Sequence, residues 1–344
     1  MAEVKRINLA LQGGGAHGAF TWGVLDRLLE DEGIEIAGIS GTSAGALNGA
    51  ALKAGLVHGG RETARANLDW LWTQVAGLRA PALQDWVSSL APPTRVVSGL
   101  IENSPPFATV DALARIVSPY ALGPLFRNPL ERIVSRFAYD KVCADEGPRL
   151  VICATNVRTG KIRLFTGEEI TAQAIMASAC LPTLFQAVEI VEGDRVEAYW
   201  DGGYTGNPAL FPLFEMDLPD DIVVVNINPI LRDKVPETPH EIANRINEIS
   251  FNSSLLREMR AIRFVQKLLD SGRLPEGSMK YVRMHMIADD ALMNELNVAT
   301  KTIPTAVIVT RLKAAGRAAA DRFLAEHRGD LNRQETVDLE AMFG

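Results

Sequence analysis

Apolar positions recur along this chain with two different periods. Residues 7–11 and 34–39 are short, largely apolar runs, and residues 222–227 form a strongly β-branched one. Runs of this length predict buried strands. Residues 19–30 instead carry Phe20, Val24, Leu25, Leu28 and Leu29 at helical spacing, and residues 44–56, rich in Ala and Leu, predict a second helix. Strand, helix, strand, helix is a βαβα unit, which implies a parallel sheet with crossover helices. Further strands are predicted over 150–156, 161–165, 196–200 and 280–287, and further helices over 64–78, 170–179, 241–271 and 305–327. From Pro81 to Pro129 eight prolines punctuate the chain, leaving room for short helices at 83–90 and 110–117. That stretch is heavily apolar and predicts a helical cap, or a lid that meets an apolar substrate. The expected architecture is one domain over 1–344, a three-layer α/β/α sandwich with a mainly parallel central sheet. Its core spans about 7–230, a helical Pro-rich insertion about 60–147, and a C-terminal helical extension about 240–344.

Chemistry concentrates at three joints. The first strand runs into Gln12-Gly13-Gly14-Gly15-Ala16-His17-Gly18. Gly13, Gly15 and Gly18 match a dinucleotide fingerprint, but that motif needs a carboxylate at the end of the second strand. Here the second strand ends Ile39-Ser40-Gly41-Thr42, without one. The other reading is an oxyanion hole, since consecutive glycines let backbone N–H groups of Gly13, Gly14 and Gly15 approach a ligand oxygen. The second joint is Gly41-Thr42-Ser43-Ala44-Gly45, a serine between glycines at a strand-to-helix turn. This is the nucleophile-elbow pattern, which exposes the hydroxyl and aims the first N–H groups of the next helix at developing negative charge. The third is Asp201-Gly202-Gly203 at the end of the strand over 196–200.

A serine nucleophile needs a base. Of the five histidines, His58 and His240 fall outside these joints, and His285 and His327 sit on predicted regular elements. His17 lies in the glycine loop. Asp201 ends a strand, and in a parallel sheet that places it on the same edge as Ser43. A carboxylate of ordinary pKa, ~3.9, is a weak base, yet it serves if proton transfer is concerted with attack. An aspartate capping its own turn is the structural alternative.

Composition narrows the class. The 344 residues are 47% hydrophobic and 22% charged with net charge −7, which excludes a basic nucleic-acid footprint. Three cysteines, Cys143, Cys153 and Cys180, make no disulfide framework and suit a reducing, cytoplasmic setting. No charged-then-apolar leader and no membrane-length apolar run is present, so peripheral contact with a lipid surface is the membrane role left open. No His, Cys and carboxylate cluster has metal-ligand spacing, so neither metal nor cofactor is expected.

The three joints in this order, with Ala177-Ser178-Ala179-Cys180-Leu181-Pro182 as a fourth piece, resemble the patatin-like phospholipase family, lipid acyl hydrolases with a Ser-Asp dyad. The resemblance covers roughly residues 7–230. It implies Ser43 as nucleophile, Asp201 as base and Gly13, Gly14 and Gly15 as the oxyanion loop. Gly18, Gly41, Gly45, Gly202 and Gly203 support the motifs. It also implies a lipid ester substrate, such as a phospholipid or neutral lipid. Where members of the family often carry Arg or Lys in the glycine loop, this chain has Ala16-His17. The rival from another class is a non-catalytic lipid-binding or scaffold protein on the same fold.

Overall fold

The computed structural model describes residues 3–77, 93–102, 118–121, 128–232, 234–275 and 277–343. Its strands are β1 (Lys5–Leu11), β2 (Ile34–Gly41), β3 (Arg149–Asn156), β4 (Ile162–Thr166), β5 (Val188–Glu192), β6 (Arg195–Asp201), β7 (Asp221–Val225) and β8 (Arg283–Ile287). They form one sheet in the order β5-β6-β3-β2-β1-β7-β8, and β4 also pairs with β3. From β3 to β8 neighbouring strands are parallel. β4, β6 and β5 add antiparallel pairings at the β3 side.

The helices in chain order are α1 (Gly18–Leu28), α2 (Ala44–Val75), α3 (Thr94–Glu102), α4 (Glu131–Val134), α5 (Tyr139–Val142), α6 (Ala172–Ser178), α7 (Pro239–Asp270), α8 (Asp290–Glu295), α9 (Val298–Thr302), α10 (Ala306–His327) and α11 (Leu339–Phe343). They cover both faces of the sheet, as the three-layer expectation requires. β1 turns Ile7, Leu9 and Leu11, and β7 turns Val223 and Val225, toward a core shared with α1, α2, α6 and α10. Ala10, Ile222 and Val224 point the other way and pack against Leu255, Met259 and Ile262 of α7. Strands buried on both faces have no polar side, so they read in the sequence as continuous apolar runs.

The two helices expected over 44–56 and 64–78 are one element broken at Gly59 and Gly60, whose backbone angles leave the helical region. α7 begins where Thr238 and Glu241 form a capping box with Pro239 in the first turn. The C-terminal third, expected as a helical extension, also supplies β8 to the main sheet, and α10 packs into the core beside α1. β5 is a strand the pattern did not predict. The short helices expected at 83–90 and 110–117 lie outside the described residues.

Candidate active site

Ser43 joins β2 to α2 with φ 53° and ψ −118°, a left-handed conformation that a side chain disfavours. Local bonds hold it there. Thr42 N–H donates to Leu11 C=O at 3.2 Å, Ser43 N–H donates to the Ser178 hydroxyl at 2.9 Å, and Ser43 C=O accepts from Ala46 and Leu47 N–H. The glycine at 45 lets α2 start against β1, since a Cβ there would lie 2.0 Å from the Leu11 carbonyl oxygen. Ala44 N–H, the first of the helix, has no acceptor among the described residues and is free to receive one.

Asp201 reaches Ser43 by a different route from the one its position in the chain suggests. β6 is antiparallel to β3, so the parallel-edge argument does not apply. Val151 and Ile152 of β3 pair with both β2 and β4, while Ala154 and Thr155 pair with both β4 and β6. β2 and β6 therefore occupy the same edge of β3, end to end. Gly41 is opposite Ile152 and Asp201 opposite Ala154, so the end of β6 meets the turn that carries Ser43.

The carboxyl group of Asp201 is buried and asymmetrically bonded. Its Oδ1 accepts from Gly203 N–H at 2.8 Å, its backbone N–H donates to Cys180 C=O at 2.8 Å, and its C=O accepts from the Thr155 hydroxyl at 2.8 Å. Oδ2 is buried without a hydrogen-bond partner among the described residues. Burial pushes the carboxyl pKa up to about 7, against the opposing pulls of the Gly203 N–H and the Ser43 hydroxyl. The serine thus favours the ionised form without completing a hydrogen bond to Oδ2. Ser178 and Cys180, at the end of α6, bridge the two residues by holding the backbone N–H of each.

The glycine loop lies against the serine, for a Cβ on Gly13 would come 2.6 Å from Ser43 Cβ. Its donors are not all free. Gly13 N–H donates to Asn207 Oδ1 at 2.6 Å, and Asn207 Nδ2 donates back to Gly13 C=O at 3.3 Å. Gly13, expected to offer its N–H alongside Gly14 and Gly15, has that donor engaged by a side chain. The N–H groups of Gly14 and Gly15 have no acceptor among the described residues.

Below the loop is a buried polar network that no motif announced. Gln12 Oε1 accepts from Ile227 and Asn228 N–H, and Gln12 Nε2 donates to Asn207 C=O and Asn252 Oδ1. Asn228 Nδ2 donates to Gly13 C=O at 2.8 Å, and Asn228 Oδ1 accepts from Lys301 Nζ at 3.1 Å. Burial lowers the Lys301 ammonium to about 8, partly offset by Glu248. These partners come from segments far apart in the chain, which is why spacing could not find them.

The histidines take other roles. His17 is buried, and its Nε2 lies 2.8 Å from Thr300 Oγ1. The Thr300 hydroxyl already donates to Asn297 C=O, which assigns the proton to His17 Nε2. Burial, with Lys301 and Arg232 nearby, holds the ring neutral. His285 lies buried between Asp221 and Thr336, a packed core histidine as its strand position predicted. Cys153 and Cys180 are buried thiols pushed up to about 12 by desolvation, hence inert. Among the described residues there is no group of three or more His, Cys, Asp or Glu able to hold a metal ion, and no helix long and apolar enough to cross a membrane.

No curated protein matches the chain. Among solved structures, VipD from Legionella pneumophila aligns with 16% identity and TM-score 0.41, covering 94% of this chain and 67% of that one. ExoU in its complex with SpcU from Pseudomonas aeruginosa aligns with 16% identity and TM-score 0.30, covering 95% of this chain and 61% of that one. Likeness at this level carries no argument about activity. The family model described as patatin-like phospholipase matches residues 9–214, more than half of the chain and all three joints. The chain belongs to the patatin-like phospholipase family.

Proposed function

We propose that this protein is a serine lipid acyl hydrolase of phospholipase A type, working through a Ser43–Asp201 dyad. The observation that carries the reading is the buried, unpartnered Oδ2 of Asp201 next to a serine held in a strained elbow. A strained nucleophile and an unsatisfied buried acceptor both cost stability, and function is the usual reason to keep them. Asp201 takes the Ser43 proton as Oγ attacks the ester carbonyl. The oxyanion is received by the free N–H groups of Ala44, Gly14 and Gly15. The tetrahedral intermediate collapses, the alcohol or lysolipid leaves with the proton from Asp201, and an acyl-serine remains. Asp201 then deprotonates water, which releases the fatty acid and restores Ser43.

A pKa near 7 makes Asp201 a far better base than an ordinary carboxylate. Hydrolysis of a short chromogenic ester, with EDTA present, tests the reading. Log kcat/KM should fall with unit slope as pH drops below about 7, because the base must be ionised in the free enzyme. A profile flat down to pH ~5 would exclude Asp201 in this role. Lipid binding with no turnover on any ester would favour the scaffold reading. Asn207→Ala should free the Gly13 end of the loop and lower kcat by about tenfold, with KM changed much less; steady-state kinetics at saturating ester decides this.

A further inference from the structure

Between β7 and the middle of α7, the chain exposes large aliphatic side chains that neither core nor site uses. Leu231, Val235, Ile242, Ile246 and Ile249 are 66%, 76%, 43%, 61% and 54% exposed. The three isoleucines recur at i, i+4 and i+7 and so share one face of α7. That face is opposite Asn244, Glu248, Asn252 and Leu255, which are buried. Continued along the helix it carries Ser253, Arg257, Arg260 and Phe264, and Arg257 and Arg260 are exposed. No carboxylate interrupts this line, in a chain whose net charge is −7. Glu241, in the first turn, is engaged by the backbone N–H groups of Glu237 and Thr238, and Glu237 is exposed in the segment before the helix.

The position of this face matters as much as its composition. Asn252 marks the level of the strands' carboxyl ends, because it bonds Gln12, just past β1, and the C=O groups of Asn228 and Pro229, just past β7. Beyond it, Leu255, Met259 and Ile262 pack onto the sheet. Residues 239–251 therefore continue past that level, a stretch of about 18–20 Å along the helix at 1.5 Å per residue. This end of the helix is firmly braced. Arg245 donates to Pro229 and Ile230 C=O, and Arg232 and Arg245 both pair with the buried Glu248.

We propose that the outer face of α7, with Leu231 and Val235, is the surface by which this protein lies on an anionic lipid bilayer. The aliphatic side chains enter the headgroup boundary and Arg257 and Arg260 meet lipid phosphates, with the helix lying along the surface. The proposal deepens the hydrolase reading and rests on it for the choice of a lipid surface.

Co-sedimentation with phosphatidylcholine vesicles, with and without phosphatidylglycerol, tests it. Ile246→Glu with Ile249→Glu should cut vesicle partitioning at least about tenfold, as expected from withdrawing two inserted side chains. Arg257→Gln with Arg260→Gln should remove the preference for phosphatidylglycerol. Both variants should melt like wild type and hydrolyse a water-soluble short-chain ester within about twofold of it. Undiminished vesicle binding by the glutamate variant overturns the proposal. So does a wild-type dimer that the glutamate variant converts to monomer in size-exclusion chromatography, which would make the face an interface between copies. Wild type inactive on the soluble ester would sink the hydrolase reading, while the vesicle arm would still decide the surface.

Discussion

Asp201→Asn is expected to reduce ester turnover by about 10³–10⁴-fold while making the protein more stable at neutral pH. The two effects share one cause. Asparagine keeps the shape and the Oδ1 that accepts from Gly203 N–H, so the turn survives. It cannot take the Ser43 proton. Ser43→Ala should cost a similar factor, and the double variant no more than either single one, because the two residues act as a unit. The stability effect follows from linkage. The unfolded aspartate ionises near its ordinary value of 3.8, whereas the folded one holds its proton up to about 7. Below the lower value both states are protonated and the carboxyl costs nothing. Between the two the folded state binds more protons, so wild-type stability falls as pH rises through that window and stays reduced above it. Asparagine has no such penalty. Its advantage should be absent near pH 4, grow toward pH 7 and then level off, at on the order of a few kcal/mol. That corresponds to roughly 3–6 °C in Tm for a chain of this length. Calorimetry across this range reads it directly, and a stability difference independent of pH would mean that Asp201 is ionised throughout.

Gly45→Ala is expected to cost about 3 kcal/mol or more, together with most of the activity. The added Cβ would sit 2.0 Å from the Leu11 carbonyl oxygen and 3.0 Å from that of Gln12. Both are backbone atoms of β1 and the loop that leaves it, so no side chain can rotate aside. Either α2 withdraws from the sheet or the end of β1 moves, and the second displaces Gly13 relative to Ser43. Tm should fall by roughly 4 °C or more, and kcat by at least about 10²-fold as the oxyanion donors lose register. Gly329→Ala is the matched control. Among the described residues nothing lies within 4 Å of a Cβ there and its φ is not left-handed, so the change should be neutral within about 0.5 kcal/mol. Equal melting temperatures for the two alanine variants would contradict the close approach at residue 45.

Much of this is legible in the amino-acid sequence. Buried parallel strands cannot hide their composition, and a glycine that must touch backbone cannot be replaced, so β1, β2, β7 and the two glycine joints stood out in the chain. Ser43 declared itself through its neighbours, because an elbow is a local structure fixed by a few adjacent residues. α7 and α10 were readable from periodicity. β5 was not: Val188-Glu189-Ile190-Val191-Glu192 is short, and its pairing with β6 is what makes it a strand.

The sequence by itself singled out the residues proposed to carry the chemistry, Ser43 and Asp201, and the turns that bend sharply enough to present them. It did not determine how they meet. The order of the chain suggested two parallel strand ends. The tertiary structure instead places an antiparallel β6 end to end with β2 along one edge of β3. Only the fold decided that Gly13 N–H is taken by Asn207, that Asn228, Asn252 and Lys301 brace the loop from the far end of the chain, and that Asp201 is dry enough to titrate near 7. The physical reason is the same in each case. Backbone conformation and hydrophobic period are set by neighbours in sequence, whereas desolvation and hydrogen-bond pairing between distant segments are set by neighbours in space.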